Sequence, residues 1–297
     1  MQGRTSPLWP IRFKPLPDEL LSCWLVRLAH GMGLKVQTFC NQIFGGSIQV
    51  WNRDIDRLGP AWLLDALCAH TGTPRKVADA TTLRVYEGLL YPQCSSAGAL
   101  QWIQTLKMYH RKRQGFGQQF CGRCLAERPE PYFRKFWRVS LYTTCLKHQC
   151  MMHDRCPHCG AAVVFHRMEM GRGSLFEAQP ISACHACGFD LCLAPVNHII
   201  SYDTDVTIWL EAAARSAETG RTSGSPKFDL SRASVMRQMV NLLTSSVARI
   251  DLHNHVLEKM DIDALELTPG RTPFETRPLA ERHHLIQMAG LLSPTEN

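Results

Sequence analysis

Apolar positions recur every three to four residues through the first third of the chain. After Pro17 they fall at Leu20, Leu21, Trp24, Leu25 and Leu28, a spacing that lines one face of a helix. Gly31 stands where a glycine can take the left-handed conformation and end that helix. Val36 to Phe44 predicts a second, shorter helix closed by Gly45-Gly46, and Pro60 opens a third that runs to His70. Gly72 interrupts it, and Pro74-Arg75-Lys76-Val77-Ala78 starts a new helix, with small Cys68 and Ala78 near the crossing. Helix, glycine turn, helix is the outline of a helix-turn-helix, in which Arg75 and Lys76 are candidates to enter a DNA groove. Any corner between two helices gives the same outline. Helical periodicity returns after residue 200. It covers Asp203 to Glu218 with Gly220 as its cap, then a Gly/Ser/Pro linker from Arg221 to Pro226. A helix N-capped by Ser231 then extends to about Ile250, followed by weaker stretches over His253 to Leu267 and Leu279 to Leu292.

The middle of the chain carries a different signal. Nine of the 13 cysteines fall between Cys121 and Cys192. Four two-ligand pairs follow one another there: Cys121-x-x-Cys124, Cys145-x-x-His148, Cys156-x-x-Cys159 and Cys184-x-x-Cys187. A tight turn can aim two ligands at this spacing toward one metal, and thiolate with imidazole favours tetrahedral zinc. The gaps between the pairs allow two sequential sites, one Cys₃His and one Cys₄. Interleaved pairing, first with third and second with fourth, is the alternative. Cys150, His153, His158, His185 and Cys192 lie close enough in sequence to replace a ligand. With four protein ligands each, both sites are structural and leave no position for a reactive water. His30, His70 and the His283-His284 pair read as ordinary polar or core histidines, and Cys23, Cys40, Cys68 and Cys94 as small buried hydrophobes. The fold expected is mainly α with small zinc-ribbon-like β elements. It has three parts: a helix-turn-helix-like region over 1–105, a basic double zinc-binding region over 106–198, and C-terminal helices over 199–297.

Composition sharpens this reading. At 297 residues, 45% hydrophobic and 20% charged, the chain is globular and long enough for about two domains. No apolar run approaches the ~18 residues of a bilayer crossing, and Leu20 to Val26 is too short and too flanked by charge for an export signal. A cytoplasmic, nucleoid-associated protein is expected, a compartment in which clustered cysteines bind metal rather than form disulfides. The formal charge is +7, and the stretch from Lys107 to Arg138 accounts for it, with nine Lys or Arg against Glu127 and Glu130. Such a block is a footprint for phosphate or an acidic partner, with Arg111, Lys112, Arg113, Arg134, Lys135 and Arg138 as candidate contacts. Within it, Arg128 and Arg134 can instead pack internally. Tyr132, Phe133, Phe136 and Trp137 read as the core of a zinc-held unit rather than as stacking partners for bases. No phosphate-binding G-x-x-x-x-G-K-[ST] loop, H-E-x-x-H or H-x-E deaminase pattern occurs, so no enzyme is expected.

Two stretches resemble a known family. Pro17-Asp18-Glu19-Leu20-Leu21-Ser22-Cys23-Trp24-Leu25-Val26-Arg27-Leu28-Ala29 is similar to the opening signature of TniQ proteins. The ordered string Cys121-x-x-Cys124, Tyr132-Phe133-Arg134, Trp137-Arg138, Cys145-x-x-His148, Cys156-Pro157-x-Cys159-Gly160 and Cys184-x-x-Cys187-Gly188 resembles the TniQ/TnsD zinc region. Together they cover roughly residues 10 to 195. The resemblance implies a non-catalytic adaptor for transposon target-site selection. Such a protein links target DNA, or an RNA-guided Cascade complex, to an AAA+ ATPase that recruits the transposase, in some relatives as a homodimer. Two departures stand out: Met151 occupies the position where a leucine usually follows the Cys-x-x-His pair, and the chain is shorter than TnsD-type members. The competing reading is a stand-alone zinc and helix-turn-helix transcription regulator.

Overall fold

The structure, a computed structural model, describes residues 8–106, 116–169, 179–222, 227–245, 252–263, 265–268 and 272–292. Among them are ten α-helices and one two-stranded antiparallel sheet, so the protein is mainly helical. The chain gathers into two compact units built from interleaved stretches. One comprises Met1–Val85, Gly122–Trp137 and Arg155–Pro195, and the other Tyr86–Cys121, Arg138–Asp154 and Val196–Asn297.

The first unit opens with α1 (Leu21–Gly31), α2 (Val36–Phe44), α3 (Ile55–Leu58), α4 (Ala61–Thr71) and α5 (Arg75–Asp79). The repeating apolar face of α1 is fully buried at Leu21, Trp24, Leu25 and Leu28. Its start has no capping side chain of its own, because Leu20 holds the N-cap position. Asp56 of α3 supplies the missing acceptor, taking the Ser22 amide at 2.7 Å and the Ser22 hydroxyl at 2.8 Å. The N-terminus of α2 is served in the same way by the distant Glu169, which accepts from the Val36 amide at 2.9 Å. Burial pushes the Glu169 carboxyl up, but hydrogen bonds from His30 and Val36 outweigh it and hold the group below its ordinary value.

Residues of the opening signature act as fasteners. Arg27 donates to Glu19 at 2.8 Å and grips both oxygens of Glu130 at 3.0 and 3.1 Å. Trp24 donates to the Phe13 carbonyl at 2.7 Å, and the Cys23 sulfur accepts from the Phe133 amide at 3.2 Å. The signature thus ties the first helix to the stretch that follows Cys124. Gly31 is still helical, and the left-handed residue is Gly33 (φ 68°). Gly31 is glycine for a different reason: the Phe13 ring lies where its Cβ would go.

In the second unit, β1 (Thr144–Cys145) pairs with β2 (Cys150–Met151), and α7 (Thr204–Thr219), α8 (Leu230–Leu243), α9 (Leu252–Met260) and α10 (Leu279–Leu291) follow. Gly220 takes the left-handed conformation that ends α7. The α8 cap is Asp229 rather than Ser231. Asp229 sits in extended backbone one residue before the helix, where its carboxylate reaches the Arg232 amide, while Ser231 already lies inside the first turn. That helix ends at Leu243 instead of continuing toward Ile250, and residues 246–250 lie outside the described ones. α9 stops at Met260, with Asp261 left-handed beyond it, short of Leu267.

α10 is buried on all sides and packs against α7 and α8. A helix in that position is normally apolar throughout. Here each polar side chain has a dedicated partner. Arg282 donates to the carbonyls of Arg277 and Ser140 and to Gln119. His283 meets Thr143 and the Ile200 carbonyl, and His284 meets Tyr202 and His253. Burial comes first among the causes that lower both imidazoles, His284 to about 4, so both are neutral at physiological pH. Among the described residues, no helix is long and apolar enough to cross a membrane.

Candidate metal centres

The four sequence pairs come together sequentially. Cys121, Cys124, Cys145 and His148 form one group and Cys156, Cys159, Cys184 and Cys187 the other, with the ligand atoms of each group all within 4.8 Å of one another. The interleaved pairing does not occur. None of Cys150, His153, His158, His185 or Cys192 belongs to either four-atom set.

Local backbone geometry explains why these residues converge. In the second group both pairs are closed by the same turn. The amides of Gly160 and Gly188 donate to the carbonyls of Cys156 and Cys184 at 2.9 and 2.8 Å. Both glycines have positive φ, 71° and 77°, which a Cβ would disfavour. The sulfurs of Cys156 and Cys187, and those of Cys159 and Cys184, lie 3.7 Å apart. Tetrahedral zinc with bonds of about 2.3 Å places its sulfurs roughly 3.8 Å apart. The donor set therefore fits zinc. Burial pushes the thiols of Cys156, Cys159 and Cys184 up, while the Phe189 amide leads the influences that bring Cys187 down to about 6. Cys187 is thus poised as a thiolate at neutral pH.

The first group is built differently. Cys145 and His148 use the same turn, closed by the Gln149 amide on the Cys145 carbonyl at 2.9 Å. Gln149 occupies the glycine position with φ 47°, a strained choice for a residue with a Cβ. Cys121 and Cys124 do not share a tight turn. Helix α6 (Gly122–Ala126) starts between them, so they stand three residues apart on one helical face. α6 packs tightly on the 191–193 turn, where a Cβ on Gly122 would come 2.9 Å from the Leu191 carbonyl oxygen. The His148 Nδ1 atom lies 3.5 Å from both the Cys121 and the Cys145 sulfur.

The two groups differ in exposure. In the first, all three cysteines are buried and His148 is half-buried; in the second, Cys159 and Cys187 are exposed. A chelator reaches exposed ligands first. Titration with a chromogenic chelator is therefore expected to remove zinc in two phases, with the second centre emptying first by about tenfold or more in rate. Cysteine alkylation followed by mass spectrometry should map the early phase to Cys159 and Cys187. Early modification of Cys121 or Cys145 would contradict this order.

The candidate nucleic-acid residues take varied positions. Lys76 is exposed on α5. Arg75 is ion-paired with Asp65 and, at 2.8 Å, with Asp79 on its own helix. Lys135 is buried and paired with Asp18 at 2.9 Å. Arg134 lies over the rings of Tyr132, Phe136 and Trp137, at 5.3, 5.9 and 5.8 Å from their centroids. Arg138 is completely buried and donates to the Gln104 carbonyl at 2.9 Å. Arg134, Lys135 and Arg138 therefore serve the fold in this conformation. Arg111, Lys112 and Arg113 lie outside the described residues. The aromatics Tyr132, Phe133, Phe136 and Trp137 are all buried. Cys23 and Cys40 are buried, whereas Cys68 and Cys94 are only partly covered.

A helical frame carrying two four-donor Cys/His clusters, each able to hold a zinc ion, defines a candidate zinc-binding scaffold. Residues 10–152 match the family model TniQ, so this stretch of the chain carries a TniQ domain. The matched stretch includes the whole first cluster; Cys156 to Cys187 lie beyond it. No curated protein matches the chain. A TniQ domain marks a transposition-associated adaptor whose partners belong to the transposition machinery.

Proposed function

We propose that this chain is a non-catalytic adaptor in transposon target-site selection. It would link target DNA, or an RNA-guided Cascade complex, to an AAA+ ATPase and through it to a transposase, with a homodimer as the working form. The observation that carries the reading is the TniQ match over 10–152, with a four-donor cluster inside it. Two zinc ions, one in each cluster, would hold the scaffold. Four protein donors leave no coordination position for a substrate or a reactive water, which supports a binding role. Its place of action would be the cytoplasm, on the nucleoid.

Arg111, Lys112 and Arg113 are the proposed contacts to nucleic acid or an acidic partner, together with exposed Lys76. Arg75 is the weaker candidate, because Asp65 and Asp79 already compensate its charge. Duplex binding measured over a range of salt separates this reading from a stand-alone transcription regulator. The adaptor binds free duplex weakly, with little preference among sequences. A single site bound ~10³-fold or more above random duplex would instead establish the regulator.

A further inference from the structure

The first metal centre has a fifth donor beside it. Cys150 lies directly opposite Cys145 in the β1–β2 register, so the two side chains leave the same face of the ribbon. A second pairing, Phe120 with His153, brings the residue before Cys121 alongside the same strand. The result is a Cys150 sulfur 4.0 Å from the Cys121 sulfur. That is close to the 3.7 Å between paired sulfurs in the second centre. It also approaches the roughly 3.8 Å expected between two thiolates on one tetrahedral zinc. Cys150 is only 4% exposed, whereas His148 is the one half-buried member of its group. The ligand nearest solvent is thus the imidazole, and the Cys150 thiol lies on the protected side.

We propose that Cys150 is an exchange ligand of the first centre. When the His148 imidazole dissociates, the Cys150 thiol passes its proton to that imidazole and its sulfur takes the fourth position. One metal–nitrogen bond is replaced by one metal–sulfur bond, the proton moves from sulfur to nitrogen, and nothing is oxidised or reduced. The Cys₃His centre becomes a Cys₄ centre with one more negative charge, balanced by the imidazolium. While His148 is bound, the Cys150 thiol is a neighbour of the Cys121 thiolate and tunes its donor strength.

The inference rests on zinc occupying the first centre, so the experiment begins with metal content. Full-length wild type, His148→Ala, Cys150→Ala and the double variant are purified, and zinc per chain is measured. Each is then loaded with cobalt(II), whose sulfur-to-metal absorption reports the number of bound thiolates. Wild type and both single variants are expected to hold two metals. The sulfur-to-cobalt absorption should be stronger in His148→Ala than in wild type and unchanged in Cys150→Ala. The double variant should fall to one metal. A wild-type content below two would overturn the zinc reading and the exchange with it. With wild type at two, the exchange alone is overturned in three ways. His148→Ala could drop to one, it could keep two with no added sulfur absorption because water has filled the position, or the double variant could keep two. If the double variant fails to fold, the His148→Ala spectrum decides the matter by itself.

Discussion

Replacing Cys156 by serine should lower the zinc content of the purified chain from two per molecule to one and unfold the region around residues 155–195. Among the described residues of that stretch there is no α-helix and no strand longer than an isolated bridge; it holds short 3₁₀ turns at Phe165–Arg167 and Leu191–Leu193 and the single antiparallel bridges Arg155–Ala162 and Ala183–Asp190. Its buried apolar side chains, besides the cysteines, are Val163, Val164, Phe165, Met168, Ile181 and Leu191, most of them around Cys156 and Cys184. So few side chains offset little of the conformational entropy lost on ordering. Structural zinc contributes apparent binding energy on the order of 10–16 kcal/mol in comparable small modules, and in such modules this energy is folding energy. Cys156 is buried and is one of the four donors of its group, so its loss leaves three. Zinc analysis with hydrogen exchange should show one metal and lost protection over 180–194, while α10 remains protected. Two metals in both Cys156→Ser and Cys159→Ser would refute the ligand assignment.

The second large effect separates the two halves of the basic stretch. Arg138→Ala should cost roughly 2–4 kcal/mol, because the side chain is fully buried and its loss leaves the Gln104 carbonyl without that donor. Arg111, Lys112 and Arg113 changed together to alanine should leave the melting temperature nearly unchanged. If these three contact phosphates, the same variant weakens nucleic-acid binding and flattens its log–log salt dependence by on the order of 2–3. Thermal melts and salt titrations on both variants check the contrast. A stable, binding-deficient Arg138→Ala would reverse the assignment.

That contrast also shows what the sequence could and could not reveal. The cysteine pairs were legible because ligand spacing is a local property, and two turns of identical geometry follow directly from Cys-x-x-Cys-Gly. The sequence could not choose between sequential and interleaved pairing, since that depends on how distant loops approach. Counting charges found the basic stretch but not its division, because Lys135 and Arg138 are buried by contacts that only the fold creates. Helix existence followed from periodicity at α1, α2, α4, α7 and α10. Helix ends were less legible where the capping group came from far away, as Asp56 does for α1 and Glu169 for α2. At Gly31 a local rule, glycine as helix stop, competes with a tertiary one, the approach of the Phe13 ring, and the tertiary one decides. In the sequence Cys150 is only a neighbour of the ligands; the strand register places it across from Cys145.

The adaptor reading is tested most directly by what accompanies the protein in its native host. The tagged full-length chain is captured after nuclease treatment, and its co-purifying proteins are identified. The account predicts stoichiometric recovery of an AAA+ ATPase, with transposase or Cascade subunits alongside it, and loss of that recovery when both zinc centres are disrupted. Recovery of none of these, with one promoter fragment enriched in an untreated control, would contradict it and establish a stand-alone regulator.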